Sequence, residues 1–505
     1  MLSRLLKVSS SQMSKENQSS YRQIMKATSI FGGVQVFNII IQVIRSKVVA
    51  VLLGPAGMGL MGLLTATTGI ISSLTNFGLG TSAVKDIAAA NNTGDEERIS
   101  VVITAFRRVV WITGLVGLIV TIVLSPWLSE LTFGNKQYTV AFIFLSVTLL
   151  FNQLSSGQMV LLQGMRKLKY LAKADVLGSV LGLIITLPLY YLYGIDGIVP
   201  GIIGTSLLLV MGSWYFANKV EVKKIVLTSS QTITEGKGML RMGIMISLSG
   251  LLTVGASYVV RIFINRTGGL EHVGLYNAGF VIINTYVGMI FGAMATDYYP
   301  RLAAVAHDNN LCRKTINEQA EIGLLILSPI LIIFLIFIKW MIILLYSSKF
   351  IAMDEMIYWA TMGMFFKAVS WSISFLFLAK GTSKLFFWNE LVTNIYLLGF
   401  NLIGYHFWGL KGLGVSFAGA YLLYMIQVYF VSKLKFEFSF SRSFINIFVI
   451  QFGLAMAGFL TIRYLEEPHT YFVGIVLIAI SGCYSVIELE KRLGLLSLIK
   501  KFRQK

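Results

Sequence analysis

The chain reads as an all-α polytopic membrane protein of about fourteen transmembrane helices, and three observations predict this. Hydrophobic residues fill 56% of the 505 positions and charged residues only 13%, about half the charge of a soluble domain; the mean hydropathy is +0.75. Apolar runs long enough to cross roughly 30 Å of hydrocarbon follow one another from about Ile30 to about Leu489. Lys and Arg gather in the short segments between those runs, on alternating sides.

The first 26 residues are polar and basic without a leading apolar core, as expected of a cytoplasmic tail and not of a cleaved signal. Apolar spans then centre near 30–53, 60–80, 102–125, 138–162, 171–192 and 195–217, and again near 241–264, 274–296, 320–346, 355–378, 385–407 and 410–432. Two more follow near 443–464 and 470–488. Gly and Pro mark the breaks, as in Leu53-Gly54-Pro55-Ala56-Gly57. With the N-terminus inside, this assignment puts 32 of the 42 Lys and Arg on the inner side and 7 on the outer side. Both termini are therefore expected in the cytoplasm. The expected organisation is a tail over 1–26, six-helix lobes over 27–237 and 238–434, an extra helix pair over 435–490 and a basic tail over 491–505.

A net charge of +19 raises the question of nucleic acid. The basic residues lie in short interhelical clusters, which suit topology signals beside an anionic bilayer leaflet, so no nucleic-acid partner is expected. Two cysteines, Cys312 and Cys483, make no disulfide framework.

An internal repeat is visible. Gly54, Gly59 and Leu60 align with Gly269, Gly274 and Leu275 at an offset of 215, each set following an arginine, Arg45 or Arg261. Both copies leave an inside basic segment, which implies two parallel six-helix repeats, a plan that places a transporter's substrate site between its halves. Gly54, Pro55, Gly59, Gly269 and Gly274 mark loops expected to close an outer gate.

Within the spans, polar residues fall at helical spacing. Gln35, Asn38, Gln42 and Arg45 share one face of the first; lipid satisfies neither amides nor a guanidinium, so this face is expected to meet protein or water. Gly363, Lys367, Ser370, Trp371 and Ser374 form a face of the tenth, and Arg261 lies inside the seventh. Arginine in hydrocarbon costs about 2.5–3.5 kcal/mol on insertion scales and is usually tied to function. Arg45, Arg261 and Lys367 therefore point to an anionic ligand, with Gln35, Asn38, Gln42 and Trp371 facing its polar remainder. The Thr65, Thr68, Ser72 and Thr75 stripe of span two reads as helix glue.

Asp86 and Asp297 sit at inner span ends beside basic neighbours; ion pairing or gating is the first reading and ion coupling the second. The four His residues lack metal-ligand spacing, and no phosphate-loop, zinc-protease or serine-hydrolase motif occurs. Neither a cofactor nor a catalytic role is expected.

The same residues resemble the multidrug/oligosaccharidyl-lipid/polysaccharide exporter superfamily, and within it the Wzx-type flippases for O-antigen units and enterobacterial common antigen. The resemblance rests on Leu53-Gly54-Pro55-Ala56-Gly57-Met58-Gly59-Leu60, Phe133-Gly134-Asn135, Tyr346-Ser347-Ser348-Lys349-Phe350-Ile351-Ala352-Met353, Lys367 and Leu378-Ala379-Lys380. It implies two lobes in a V around a cationic cavity. It also implies a substrate of undecaprenyl-pyrophosphate-linked oligosaccharide, a bacterial inner membrane and a polysaccharide polymerase as partner. The extra pair at 443–490 departs from the common twelve-span pattern and resembles fourteen-span relatives that flip the peptidoglycan lipid precursor. An ion-coupled multidrug exporter of the same superfamily is the alternative, and it would require acidic residues deep in a lobe.

Overall fold

The computed structural model describes residues 2–223 and 225–493, with side chains from Phe37 onward except Met242, Met245, Ile246, Leu248, Ser249, Tyr286, Ala293, Thr296, Ser383 and Leu493. The expected glycan contact Gln35 and most of the C-terminal tail lie outside those descriptions. Thirteen α-helices make up the described chain: α1 (Leu2–Thr75), α2 (Leu79–Thr93), α3 (Glu96–Phe133), α4 (Thr139–Gly164), α5 (Leu168–Tyr193), α6 (Ile198–Ala217), α7 (Ser229–Val281), α8 (Met289–Ala304), α9 (Asn309–Leu345), α10 (Asp354–Ala379), α11 (Ser383–Phe436), α12 (Arg442–Tyr464) and α13 (His469–Leu493). Among the described residues there is no strand.

Among the described residues, ten stretches are long and apolar enough to cross a membrane. Four of them, Phe37–Thr75, Leu168–Ala217, Gly250–Gly292 and Lys384–Phe436, run to 39, 50, 43 and 53 residues, well beyond the ~20 that one crossing needs. Each of the four is broken at a glycine with positive φ: Gly54, Gly194, Gly269 and Gly409. That half of conformational space is open to glycine and closed to most side chains, so these are the points where the chain turns.

The repeat extends well beyond the first span pair. Gly54 (φ 66°, ψ −172°) and Gly269 (φ 78°, ψ −179°) adopt one conformation. Gly194 (φ 54°, ψ −127°) and Gly409 (φ 56°, ψ −139°) share another. Arg166 (φ 54°) after α4 and Gly381 (φ 68°) after α10 make a third pair. All three pairs are 215 residues apart.

Two compact units result: Met1–Leu53 with Leu64–Val254, and Gly54–Leu63 with Gly255–Lys505. The division falls inside α7 and not at 237/238, where the sequence suggested it. The physical reason is that the first half of α7 packs on the first unit: Gly243 lies against the Phe77 carbonyl, Ser247 Oγ donates to Asn76 Oδ1 at 3.3 Å, and Arg98 pairs with Glu235 at 2.6 Å.

The extra pair, α12 and α13, packs on α9. Gln451 of α12 exchanges hydrogen bonds with Ser481 and Ser485 of α13, Gly474 lies against Ile336 of α9, and Trp359 of α10 meets Phe459 edge-on. Ion pairs fasten both ends. Arg463 binds Glu355 of α10 at 2.6 Å, and Arg492 binds Glu321 of α9 at 2.8 Å.

Candidate functional site

In the first unit, Asn38 and Arg45 of the α1 stripe meet α5. Asn38 donates to the Asp175 carboxylate at 2.6 Å and accepts from Ser179 Oγ at 3.0 Å. Two turns on, Arg45 lies in hydrogen-bonding contact with the Tyr190 hydroxyl. Gln42 is exposed and Arg45 half-buried. Asn38 is thus held by protein on both sides of its amide, whereas Gln42 faces outward.

In the second unit, Arg261 donates through Nε to Asn277 Oδ1 at 2.8 Å. It also donates to the Ser257 carbonyl at 3.1 Å and to the Ser257 hydroxyl. Its guanidinium carbon lies 5.6 Å from the Tyr276 ring centre. Lys367 of α10 donates to Asn284 Oδ1 at 2.9 Å and lies 5.1 Å from the Tyr421 ring and 5.6 Å from the Phe417 ring. Asn284 belongs to a π-helical turn, Ile282–Val287, a distortion that recurs at functional sites. Asn277 and Asn284 are seven residues apart, so one helical segment supplies the amide partner of each cation.

Among the described residues, no carboxylate pairs with Arg45, Arg261 or Lys367, although nine ion pairs form elsewhere. Their partners are hydroxyls, amides, a carbonyl and aromatic faces, which orient a cation and leave its charge in place.

The remaining expected residues are placed as follows. Trp371 is half-buried among Phe291, Tyr298 and Phe375, with ring centres 5.0–5.6 Å away, so much of its ring is covered by other rings. Asp297 is exposed and lies 3.8 Å from Arg301. Asp86 lines a cavity of about 300 Å³ with Arg98 and Glu235. Gly54 and Gly269 are the turn points described above, and Pro55 opens the helix after Gly54, where its missing N–H costs nothing. Gly59 packs on Leu270 and Gly274, and Gly274 on Pro55 and Gly59.

Acidic residues also lie on the membrane-length helices. Asp175 of α5 and Glu390 of α11 are partly buried carboxylates on membrane-length helices, and they too are 215 residues apart. Glu390 accepts from the Tyr424 hydroxyl at 2.6 Å. Its neighbour Asn389 accepts from Gln427 Nε2 at 2.7 Å. The offset already read from the glycines would have found the pair.

A family model described as polysaccharide biosynthesis protein matches residues 48–355. The lipid III flippase of Escherichia coli strain K12 is 21% identical over 383 residues, covering 75% of this chain and 90% of that protein. Among solved structures, an inward-facing multidrug transporter of the MATE family in the MOP superfamily superposes with a TM-score of 0.67 at 17% identity, over 80% of this chain and 94% of the other. The lipid II flippase MurJ, in an inward closed conformation, gives 0.67 at 13% identity over 93% and 99%. The fold is that of these transporters.

Proposed function

Because the chain belongs to the polysaccharide biosynthesis protein family, we propose that it is a flippase for a lipid-linked oligosaccharide. The substrate in this reading is an undecaprenyl-pyrophosphate-linked repeat unit such as O-antigen, moved from the cytoplasmic to the outer leaflet of a bacterial inner membrane by alternating access. Each half of the four broken stretches crosses the bilayer, which makes fourteen crossings with both termini inside.

One observation carries this reading: among the described residues three cations on membrane helices are held by neutral groups and pair with no carboxylate. All three are half-buried, burial without a counter-ion is costly for a charge, and a pyrophosphate would supply the anion. Guanidinium groups pair with phosphate oxygens bidentately and an ammonium as a point charge. Gln42, on the stripe of Arg45, is the amide left to meet the glycan. The 21% identical relative named lipid III flippase supports a lipid-linked glycan as the cargo class.

The energetics are consistent with it. A pyrophosphate diester carries about two negative charges, and at ~2.3 kcal/mol per charge per 100 mV outward movement gains roughly 4–5 kcal/mol. The gain survives only where the protein's own cations stay fixed as the substrate moves.

A second reading, coupling to a cation gradient, is favoured by Asp175 and Glu390. They are partly buried carboxylates on membrane-length helices, the residue type that an ion-coupled exporter of the superfamily requires. The deciding experiment follows labelled undecaprenyl-pyrophosphate oligosaccharide in proteoliposomes, with membrane potential and ion gradients imposed separately. Outward movement that disappears with Arg45→Ala supports the flippase. Movement of small organic cations alone, with the lipid untouched, overturns it in favour of the exporter.

A further inference from the structure

A cavity of about 370 Å³ opens between α3, α4 and α6 of the first unit, apart from the cations described above. It lies toward the end of the unit where α3 begins and α4 and α6 finish, the end that carries Arg98, Arg166, Lys167, Lys169 and Lys219. Gly157 makes room for this crossing: a β-carbon there would lie 2.8 Å from Val110. Two polar groups in the cavity are unusual. Arg107 Nε is buried and has no hydrogen-bond partner, and Gln158 Oε1 is buried and has none either. Among the described residues Arg107 makes no ion pair. Around them stand Trp111, Met211 and Trp214, all exposed.

A buried polar group left unpaired costs about 1–3 kcal/mol, more when charged, so two such groups lining one cavity favour a ligand that pairs with both. Guanidinium only donates and an amide oxygen only accepts. A ligand that satisfies both brings an anionic oxygen and, within a few ångströms of it, a donor O–H or N–H. It must also tolerate an apolar rim of two indoles, side chains typical of the depth where lipid head groups begin. The geometry points to a binding site for a bilayer glycerophospholipid: its phosphate diester on Arg107, its head-group hydroxyl or ammonium on Gln158, and its acyl chains along Trp111 and Trp214. Lipids with glycerol or ethanolamine head groups carry the donor; choline lipids lack it. The site is independent of what the protein transports.

Native mass spectrometry of the full-length protein, delipidated in detergent and titrated with single lipids, tests this. Phosphatidylglycerol and phosphatidylethanolamine should each form a saturable one-to-one adduct that phosphatidylcholine forms poorly. Arg107→Gln should weaken the adduct by about tenfold or more. Gln158→Leu should erase the preference over choline while phosphate binding persists. Lys169→Gln, which removes an exposed charge at the same end, should change nothing. Should the Arg107→Gln chain not fold, Arg107→Lys, which keeps the charge and loses the fork, should show intermediate binding. Equal adducts with Arg107→Gln and the parent overturn the site, as does equal loss with Lys169→Gln. Equal binding of choline lipid overturns the donor contact. Displacement of the lipid by inorganic phosphate at the lipid's own concentration assigns the cavity to a free anion and overturns the lipid.

Discussion

Gly59 and Gly274 face each other reciprocally: a β-carbon built on either would lie 3.0 Å from the other's backbone nitrogen. The neighbouring contacts repeat the pattern, since the Gly59 β-position falls on the Leu270 carbonyl and the Gly274 β-position on the Pro55 carbonyl. Each residue meets its own repeat-mate, as across a two-fold axis. Alanine at either position collides with backbone, which cannot swing aside. Gly59→Ala and Gly274→Ala should each lower stability by about 1–3 kcal/mol. The double variant should lose less than the sum, because the first collision already separates the helices. Thermal unfolding in detergent reads both; additive losses would contradict the reciprocal contact.

Arg261 uses its fork on Asn277 and Ser257, so charge alone is not what its site holds in position. Arg261→Lys should insert normally and move lipid-linked oligosaccharide about tenfold more slowly or worse. Transport at the parental rate would show that the guanidinium geometry is irrelevant.

Asp175 and Glu390 occupy equivalent positions in the two repeats. Under ion coupling, Asp175→Asn and Glu390→Gln should leave potential-driven transport standing and remove its response to an imposed proton or sodium gradient. If both variants keep the parent's response, the carboxylates serve packing through Asn38 and Tyr424 only.

Gly381 and Gly409 both have positive φ but differ in what they tolerate. Arg166, the repeat-mate of Gly381, already carries a positive φ on a large side chain, and a β-carbon on Gly381 meets nothing within 4 Å, so Gly381→Arg should fold with little loss. Gly409, with ψ −139°, lies where side chains are strained, and Gly409→Ala should lose about 1–3 kcal/mol. Denaturation midpoints of the two variants separate these outcomes.

Arg492 and Glu321 are only 22% and 10% exposed at their side chains, and Glu321 also accepts from Ser441 Oγ at 2.9 Å. Glu321→Ala leaves Arg492 to Glu488 and removes the tie to α9. Loss of about 1.5–3 kcal/mol should appear as faster hydrogen exchange confined to α12 and α13; unchanged exchange there would mean that apolar packing alone holds the pair.

Much of this molecule is legible from periodicity. The turn at Gly54, its mate at Gly269 and the three membrane cations all follow from apolar run length and residue chemistry, which act locally. Asp175 is harder to read because it follows Lys169 and Lys173 and looks like part of an interfacial basic cluster. Its partner Asn38 lies 137 residues away, so only tertiary packing reveals what the carboxylate does. Trp371 shows the same limit: its position on the α10 face is readable, but the rings of Phe291 and Tyr298 that cover it come from elsewhere in the chain. The unit boundary inside α7 was hidden because a loop of polar residues precedes that helix, and loop composition says nothing about which neighbour a helix then packs on.

The placement of Gly54–Leu63 in the second unit bears on biosynthesis. Those ten residues leave the ribosome early, yet the Leu270 and Gly274 backbone they rest on is made some two hundred residues later. At ~5–20 residues per second, this segment spends roughly 10–40 seconds without its partner. During that interval its glycines and its proline face either lipid or the insertion machinery, so the protein's assembly depends on a helix that must wait, inserted but unmatched, for a second copy of itself.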